Sequence, residues 1–281
     1  MNFRSVQDLN LLIKRQLHNI PKVDAVVGIP RSGMLPASLI ALYLGKPLLT
    51  IEQLFTGGDY WGQLTNRINV TKNISNTGTI LVVDDSCNTG RAMKYVKERI
   101  KTFIPEVKVI YSAIYATEEA CQHLDFFFDI CPLPRVFEWN IMDHIFLENA
   151  CVDLDGVLCV DPTMGQNDDG EKYLEFIHNT APIFTPQHKI KAIVTCRLEK
   201  YREPTEQWLK SHGIAYNELY MMNYPNALER KKANRYAEYK ADIYKATGAN
   251  LFIESEDWQG SYINWATHKP VYCLGSGRFY E

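Results

Sequence analysis

The stretch Ile80-Leu-Val-Val-Asp-Asp-Ser-Cys-Asn-Thr-Gly-Arg-Ala-Met93 constrains this chain more than any other. Four apolar residues run straight into two carboxylates and then a small polar turn. A continuous apolar run bounded by turn residues suits a parallel strand buried on both faces, and the pattern from Met93 onward is helical. The turn therefore lies between a strand and a helix, where open α/β sheets bind ligands. Backbone N–H groups and hydroxyls over Ser86 to Gly90, at a helix N-terminus, suit a phosphate monoester. Asp84 and Asp85 are acceptors for a vicinal diol or a metal. A ribose 5-phosphate carries both parts.

At 281 residues the chain has room for two domains. A net charge of −3 leaves no basic field, so nucleic acid is not an expected partner. Apolar runs are too short to span a bilayer and the N-terminus lacks the apolar core of a signal peptide, so a cytoplasmic protein without membrane insertion is expected. The seven cysteines are scattered without a Cys-x-x-Cys pair, which indicates neither a disulfide framework nor a zinc site.

Along the chain, residues 1–22 read as an amphipathic helix with Val6, Leu9, Leu12, Ile13 and Leu17 on one face. A short strand from Asp24 and a Gly- and Pro-rich turn follow, then a helix from about Leu35 to Leu44. Phe55 to Thr79 is long and polar, with Tyr60, Trp61, Arg67 and Lys72, and reads as a lid. A helix over Met93 to Phe103 and strands over Val107 to Tyr115 and Phe126 to Ile130 come next. Arg135 to Asn140 reads as a connector whose Phe137 and Trp139 pack between domains.

The order of residue types over 80–93 resembles the phosphoribosyl pyrophosphate (PRPP) signature of type I phosphoribosyltransferases. That resemblance implies that Asp84 and Asp85 hold the ribose hydroxyls and that Ser86, Cys87, Asn88, Thr89, Gly90 and Arg91 wrap the 5-phosphate. It also implies that Arg31, Ser32 and Gly33 form the loop that receives the pyrophosphate, with Arg31 bringing charge to the leaving group. A plain turn is the alternative for 31–33. The family closes a hood from the region of 55–79, where Arg67 and Lys72 either reach the pyrophosphate or are merely solvated. In 6-oxopurine members an aspartate in the signature turn works at N7 of the base; Asn88 stands there in this chain and an amide takes no proton, which argues against a purine acceptor. Ala92 stands where many relatives have Thr, which removes a hydroxyl from the cradle.

A second apolar strand stops at acids in Ala150-Cys-Val-Asp-Leu-Asp-Gly-Val-Leu158, and Gly156 permits a backbone turn there. Asp153-x-Asp155 resembles the first motif of the haloacid dehalogenase (HAD) phosphohydrolases, and candidates for the remaining motifs follow in order. By that resemblance Asp153 is the nucleophile and an Mg²⁺ ligand, and Asp155 is the general acid and base, grouped with the metal ligands. Thr195 holds the phosphoryl group and Lys240 neutralises its oxygens, with Lys245 as the second choice. Glu254 completes the metal shell with Asp257 or Glu256. Ser255 departs from the usual paired aspartates. Asp161 to Pro186 reads as a small cap insertion whose Asp161, Asp168 and Asp169 are solvated. Arg197, Tyr201 and Arg202 are read either as substrate contacts or as surface ion pairs.

The expected architecture is α/β, with two doubly wound Rossmann-like domains: a type I phosphoribosyltransferase fold over 1–140 and a HAD-like fold with a small cap over 141–281. Mg²⁺ at both sites and PRPP as co-substrate are expected. The function these resemblances imply is bifunctional: 5-phosphoribosyl transfer to an acceptor with loss of pyrophosphate, and phosphomonoester hydrolysis through an aspartyl-phosphate, removing the 5-phosphate of the product. The tandem is similar to bacterial fusions of glycan assembly, so a sugar or glycan acceptor is favoured. Nucleobase salvage with a nucleotidase-like second domain, and a PRPP sensor regulating a phosphatase, are the alternatives. A homodimer is the assembly considered.

Overall fold

The computed structural model describes residues 1–56 and 78–281. Tyr60, Trp61, Arg67 and Lys72, expected in a lid, lie outside the described residues. Contacts divide the chain into one unit over Asn2–Trp139 and a second over Asn140–Glu281 together with Met1.

The first unit contains β1 (Asn2–Arg4), α1 (Val6–Gln16), β2 (Ala25–Gly28), α2 (Met34–Leu44), β3 (Leu48–Thr50), α3 (Ile51–Thr56), β4 (Thr79–Cys87), α4 (Arg91–Phe103), β5 (Lys108–Ala116), β6 (Phe126–Ile130) and β7 (Arg135–Phe137). Five strands form one sheet in the order β3-β2-β4-β5-β6, and each neighbouring pair is parallel. The alternation of strand side chains explains why helices cover both faces. Ala25, Val27, Ile80 and Val82 pack with Met93, Val96 and Ile100 of α4. Val26, Leu81 and Val83 point the other way, onto Leu9 and Ile13 of α1 and Ala37 and Ile40 of α2. Burying each such side chain is worth about 1.5–3 kcal/mol before entropy, so the Ile80–Val83 run anchors both layers.

Two expectations are corrected here. The N-terminus is not one long helix: Asn2–Arg4 pairs in parallel with Arg135–Phe137, and Ser5 caps α1 in a capping box with Asp8. That capping pair is a local stop signal which the apolar periodicity of 1–22 hides. β4 also runs past its acids to Cys87, because Asp84, Ser86 and Cys87 keep register with β5. The loop proper is therefore only Asn88–Gly90.

The second unit contains β8 (Ala150–Val152), α5 (Glu171–Asn179), β9 (Ile190–Leu198), α6 (Arg202–Ser211), β10 (Tyr216–Met222), α7 (Ala227–Ala233), α8 (Tyr236–Thr247), β11 (Leu251–Glu254), α9 (Asp257–Thr267), β12 (Val271–Cys273) and β13 (Arg278–Tyr280). The sheet order is β10-β9-β8-β11-β12-β13, parallel except for the last pair. Cys151, Ala192, Val194 and Phe252 pack against Ala241 and Tyr244 of α8 and Ile263 of α9. Asp153 and Glu254 thus come to the ends of adjacent strands, since β8 and β11 pair through Val152 and Ile253. No helix among the described residues is long and apolar enough to cross a membrane.

Candidate functional site

In the first unit two loops meet at the carboxyl end of the sheet. Ile29 N donates to Val83 O at 3.0 Å, carrying the β2 turn alongside β4. A Cβ on Gly33 would lie 2.5 Å from Ile29 O and 2.8 Å from Val83 O, so this backbone approach requires glycine. Neither Gly33 nor Gly90, at the N-caps of α2 and α4, supplies a side-chain cap. The first-turn N–H groups of both helices thus have no side-chain cap and suit an anion. Gly90 has φ +72°, the left-handed region, and a Cβ there would fall on the His123 ring. Thr117 Oγ1 donates to Asn88 O at 2.7 Å and fixes the short turn.

The two signature acids part company because they stand on opposite faces of β4. Asp85 is 3% exposed, and its oxygens accept from Ser32 Oγ at 2.9 Å and from Trp139 Nε1 at 2.7 Å. Asp84 is half-buried and accepts from Asp85 N at 2.9 Å; burial and the neighbouring Asp85 push its carboxyl up to about 8. Cys87 is buried in the core, so the expected contact to phosphate reduces to its backbone. Ser86 is half-buried, whereas Arg31, Asn88, Thr89 and Arg91 are exposed at the loop ends.

Phe137 and Trp139, expected between domains, instead stack within the first unit. Their rings are 4.8 Å apart at 4°, and Tyr115 stacks on Phe137 at 5.3 Å. An indole N–H needs an acceptor when partly buried, and Asp85 is the one in reach. The tryptophan's place at the site has no local signal, because nothing in Arg135–Asn140 shows which strand end it reaches.

In the second unit Asp153, Lys240 and Glu254 form a buried triad. Lys240 Nζ donates to Asp153 Oδ2 at 2.7 Å and to both Glu254 oxygens at 3.0 and 2.8 Å. Lys240 shares the buried face of α8 with Ala237, Ala241 and Tyr244. Burial disfavours its charge, but Asp153 and Glu254 outweigh that and hold the ammonium above its ordinary value. Burial and Glu254 push Asp153 upward, with Lys240 working against both. Thr195 is buried on β9, the strand that pairs with β8, while Lys245 is exposed.

Four of the expected placements differ in the structure. Asp257 is drawn to Ser276 at 2.6 Å and Arg278 at 2.9 Å, away from the triad. Among the described residues no three acids, histidines or cysteines converge as a metal shell. The carboxylates of Asp153 and Glu254 turn to the ammonium, so these residues as arranged do not fit Mg²⁺ and no step below passes through one. Asp155 accepts on both oxygens from Arg197, at 3.0 Å from Nε and 2.6 Å from Nη2. That arginine, read as a substrate or surface residue, is 1% exposed and also reaches Thr205 and Cys159. A carboxylate facing a guanidinium on both oxygens is set to accept, not to donate. Asp169, read as solvated, accepts from Tyr201 and from Ala227 N and pairs with Lys200 at 2.9 Å. Arg230, which the sequence did not single out, donates to Cys196 O beside Thr195, and its Nε is buried without a partner. An open cavity of about 570 Å³ lies over the insertion, lined by Asp161, Lys172, Glu175, Phe176 and Asn179 among others.

Residues 5–137, just under half of the chain, match the model of the phosphoribosyl transferase domain. The chain is similar to the purine phosphoribosyltransferase of Pyrococcus horikoshii, at 19% identity over 49% of this chain and 92% of that one, with a TM-score of 0.38. The xanthine-guanine-hypoxanthine phosphoribosyltransferase of Helicobacter pylori gives 19% identity over 50% and 92%, also at 0.38. The orotate phosphoribosyltransferase of Aeropyrum pernix gives 19% over 48% and 71%, at 0.29. Identities and scores this low do not bear on the substrate. A comparison with curated proteins finds no match. The family match ends at residue 137, so the HAD resemblance of the second unit rests on its own residues.

Proposed function

We propose that the first unit binds PRPP and transfers its 5-phosphoribosyl group to an acceptor with release of pyrophosphate. The observation that carries this reading is the meeting of the two loops at Gly33, which sets a pyrophosphate-type loop against the acid-tipped strand with no room for a side chain. Asp84 is the acceptor for the ribose hydroxyls. Asn88–Gly90 and the start of α4 take the 5-phosphate, and Arg31 and the start of α2 face the leaving pyrophosphate. Asn88 takes no proton and so disfavours a purine acceptor, and the resemblance of the tandem to fusions of glycan assembly favours a sugar or glycan. The test is pyrophosphate release by the whole chain from PRPP and Mg²⁺ across panels of sugars, glycans and nucleobases, with Asp84→Asn as control. Release with a nucleobase only would overturn the acceptor reading, and binding of PRPP without release under any acceptor would favour a sensor.

For the second unit we propose phosphomonoester hydrolysis through Asp153. Lys240 and Thr195 support transfer of a phosphoryl group to that carboxylate, because an ammonium and a hydroxyl at a buried acid stabilise the charge that develops on phosphoryl oxygens. Removal of a ribose 5-phosphate would require Asp155 to exchange Arg197 for the leaving oxygen before it can donate a proton. Phosphate release from a panel of phosphomonoesters, abolished in Asp153→Asn, tests this; release that survives the substitution excludes Asp153 as nucleophile.

A further inference from the structure

We propose that the adjacent acids divide their work: Asp84 meets the ligand, while Asp85 is a bracket, and Trp139 is a positioning residue that holds Asp85 so that Ser32 orders the pyrophosphate loop. This rests on the PRPP reading of the first unit and deepens it.

A ribose-binding carboxylate must present an oxygen to the ligand. Asp85 is badly placed for that, because it is 3% exposed and each oxygen is held by a protein donor, one from either side. The Ser32 bond crosses from the β2–α2 turn to β4. The Trp139 bond reaches the same carboxylate from the segment after β7. Trp139 is itself held flat against Phe137, which stacks on Tyr115 of β5, so its N–H direction is fixed by rings that have no other role at the site. The chain of contacts thus runs Trp139, Asp85, Ser32, and ends one residue before the glycine that lies against Val83. Removing the indole N–H frees one oxygen of a buried carboxylate, which then rotates toward another donor and loosens its hold on Ser32. The effect falls on the pyrophosphate end of the ligand. The ribose phosphate end, held by Asp84 and the turn at Asn88–Gly90, is spared.

The experiment is calorimetric titration of the whole chain with PRPP, pyrophosphate and ribose 5-phosphate, each with Mg²⁺. Trp139→Phe, which keeps an aromatic ring on Phe137 but has no N–H, should weaken PRPP and pyrophosphate about tenfold. Ribose 5-phosphate should move by less than about twofold, by the same scale. Ser32→Ala should reproduce the pattern, and it serves alone should Trp139→Phe fail to fold. In the double variant the two losses should fall well short of additive, since both act through Asp85. Unchanged PRPP binding in either variant, equal loss of all three ligands, or additive losses would overturn the bracket. Wild-type protein that binds none of the three would overturn the PRPP reading itself.

Discussion

Replacing Lys240 with Met tests the second unit most directly, because the substitution keeps the volume and removes only the charge. Lys240 is 2% exposed, Asp153 4% and Glu254 0%, and the three lie within 2.7–3.0 Å of one another through the ammonium. Without it two carboxylates remain buried with no cation between them, and breaking a buried pair in this way costs about 3–5 kcal/mol. For a unit of this size that lowers the melting temperature by about 10 °C or more. The sign with pH follows from linkage. Without the ammonium the Asp153 carboxyl, already pushed up by burial and by Glu254, rises further above its unfolded value of about 4, so the variant retains stability below that pH and loses it as pH rises. The gap to wild type should therefore be small near pH 5 and wide near pH 8 in thermal melts followed by circular dichroism. Lys240→Met/Glu254→Gln should recover part of the loss, because it removes one of the stranded charges. Phosphate release should fall about a hundredfold or more in the single variant. A loss of less than about 1 kcal/mol at pH 8, or one equal at both pH values, would show that the triad is not held by its charges.

Asp84, pushed up to about 8, must lose its proton to accept from a ribose hydroxyl, so PRPP affinity measured by calorimetry should rise between pH 7 and 9, a rise that Asp84→Asn abolishes. The same group's contribution to stability is fully present below about pH 4 and disappears as pH climbs toward 8. Gly33→Ala puts a methyl 2.5 Å from Ile29 O and 2.8 Å from Val83 O. Both neighbours are backbone, so denaturant unfolding should show a loss of about 1–3 kcal/mol, with weaker pyrophosphate binding. Arg197→Met strands the Asp155 carboxylate and should cost about 3 kcal/mol or more, whereas Arg202→Ala, whose partners Glu199 and Glu206 are solvated, should cost less than about 1 kcal/mol in the same melts.

The strands were legible where burial on both faces demands an uninterrupted apolar run. Ile80–Val83 and Ala150–Val152 announce themselves because each residue of a central parallel strand faces a helix or a neighbouring strand. The short β1 was not legible, since Asn2–Arg4 has no apolar signal and owes its conformation to pairing with residues more than a hundred positions away. The end of β4 misled for a related reason. Ser86 and Cys87 read as part of the turn by residue type, but the ladder to β5 continues through Ala116 and imposes extended backbone on them.

Site residues divide along the same line. A strand end places an acid, so Asp84 and Asp153 could be picked from the chain, and a glycine that must touch backbone could be picked as a loop. What an acid faces is decided by elements distant in sequence, as three positions show. Asp85 and Asp84 are neighbours of the same residue type, yet the pleat sends one to Ser32 and Trp139 and leaves the other half-buried without either partner. Asp155, expected as a proton donor, has an arginine set against both oxygens. Asp257 follows β11 as a metal ligand should, but α9 turns it toward the β12–β13 hairpin and Arg278. Lys240 shows the reverse case: a lysine on the apolar stripe of a helix, between Ala237 and Tyr244, must find acids inside the core or leave it. A buried cation on a helix is thus a sharper pointer to this kind of site than a surface-capable acid at a strand end, because burial leaves the cation no bland alternative.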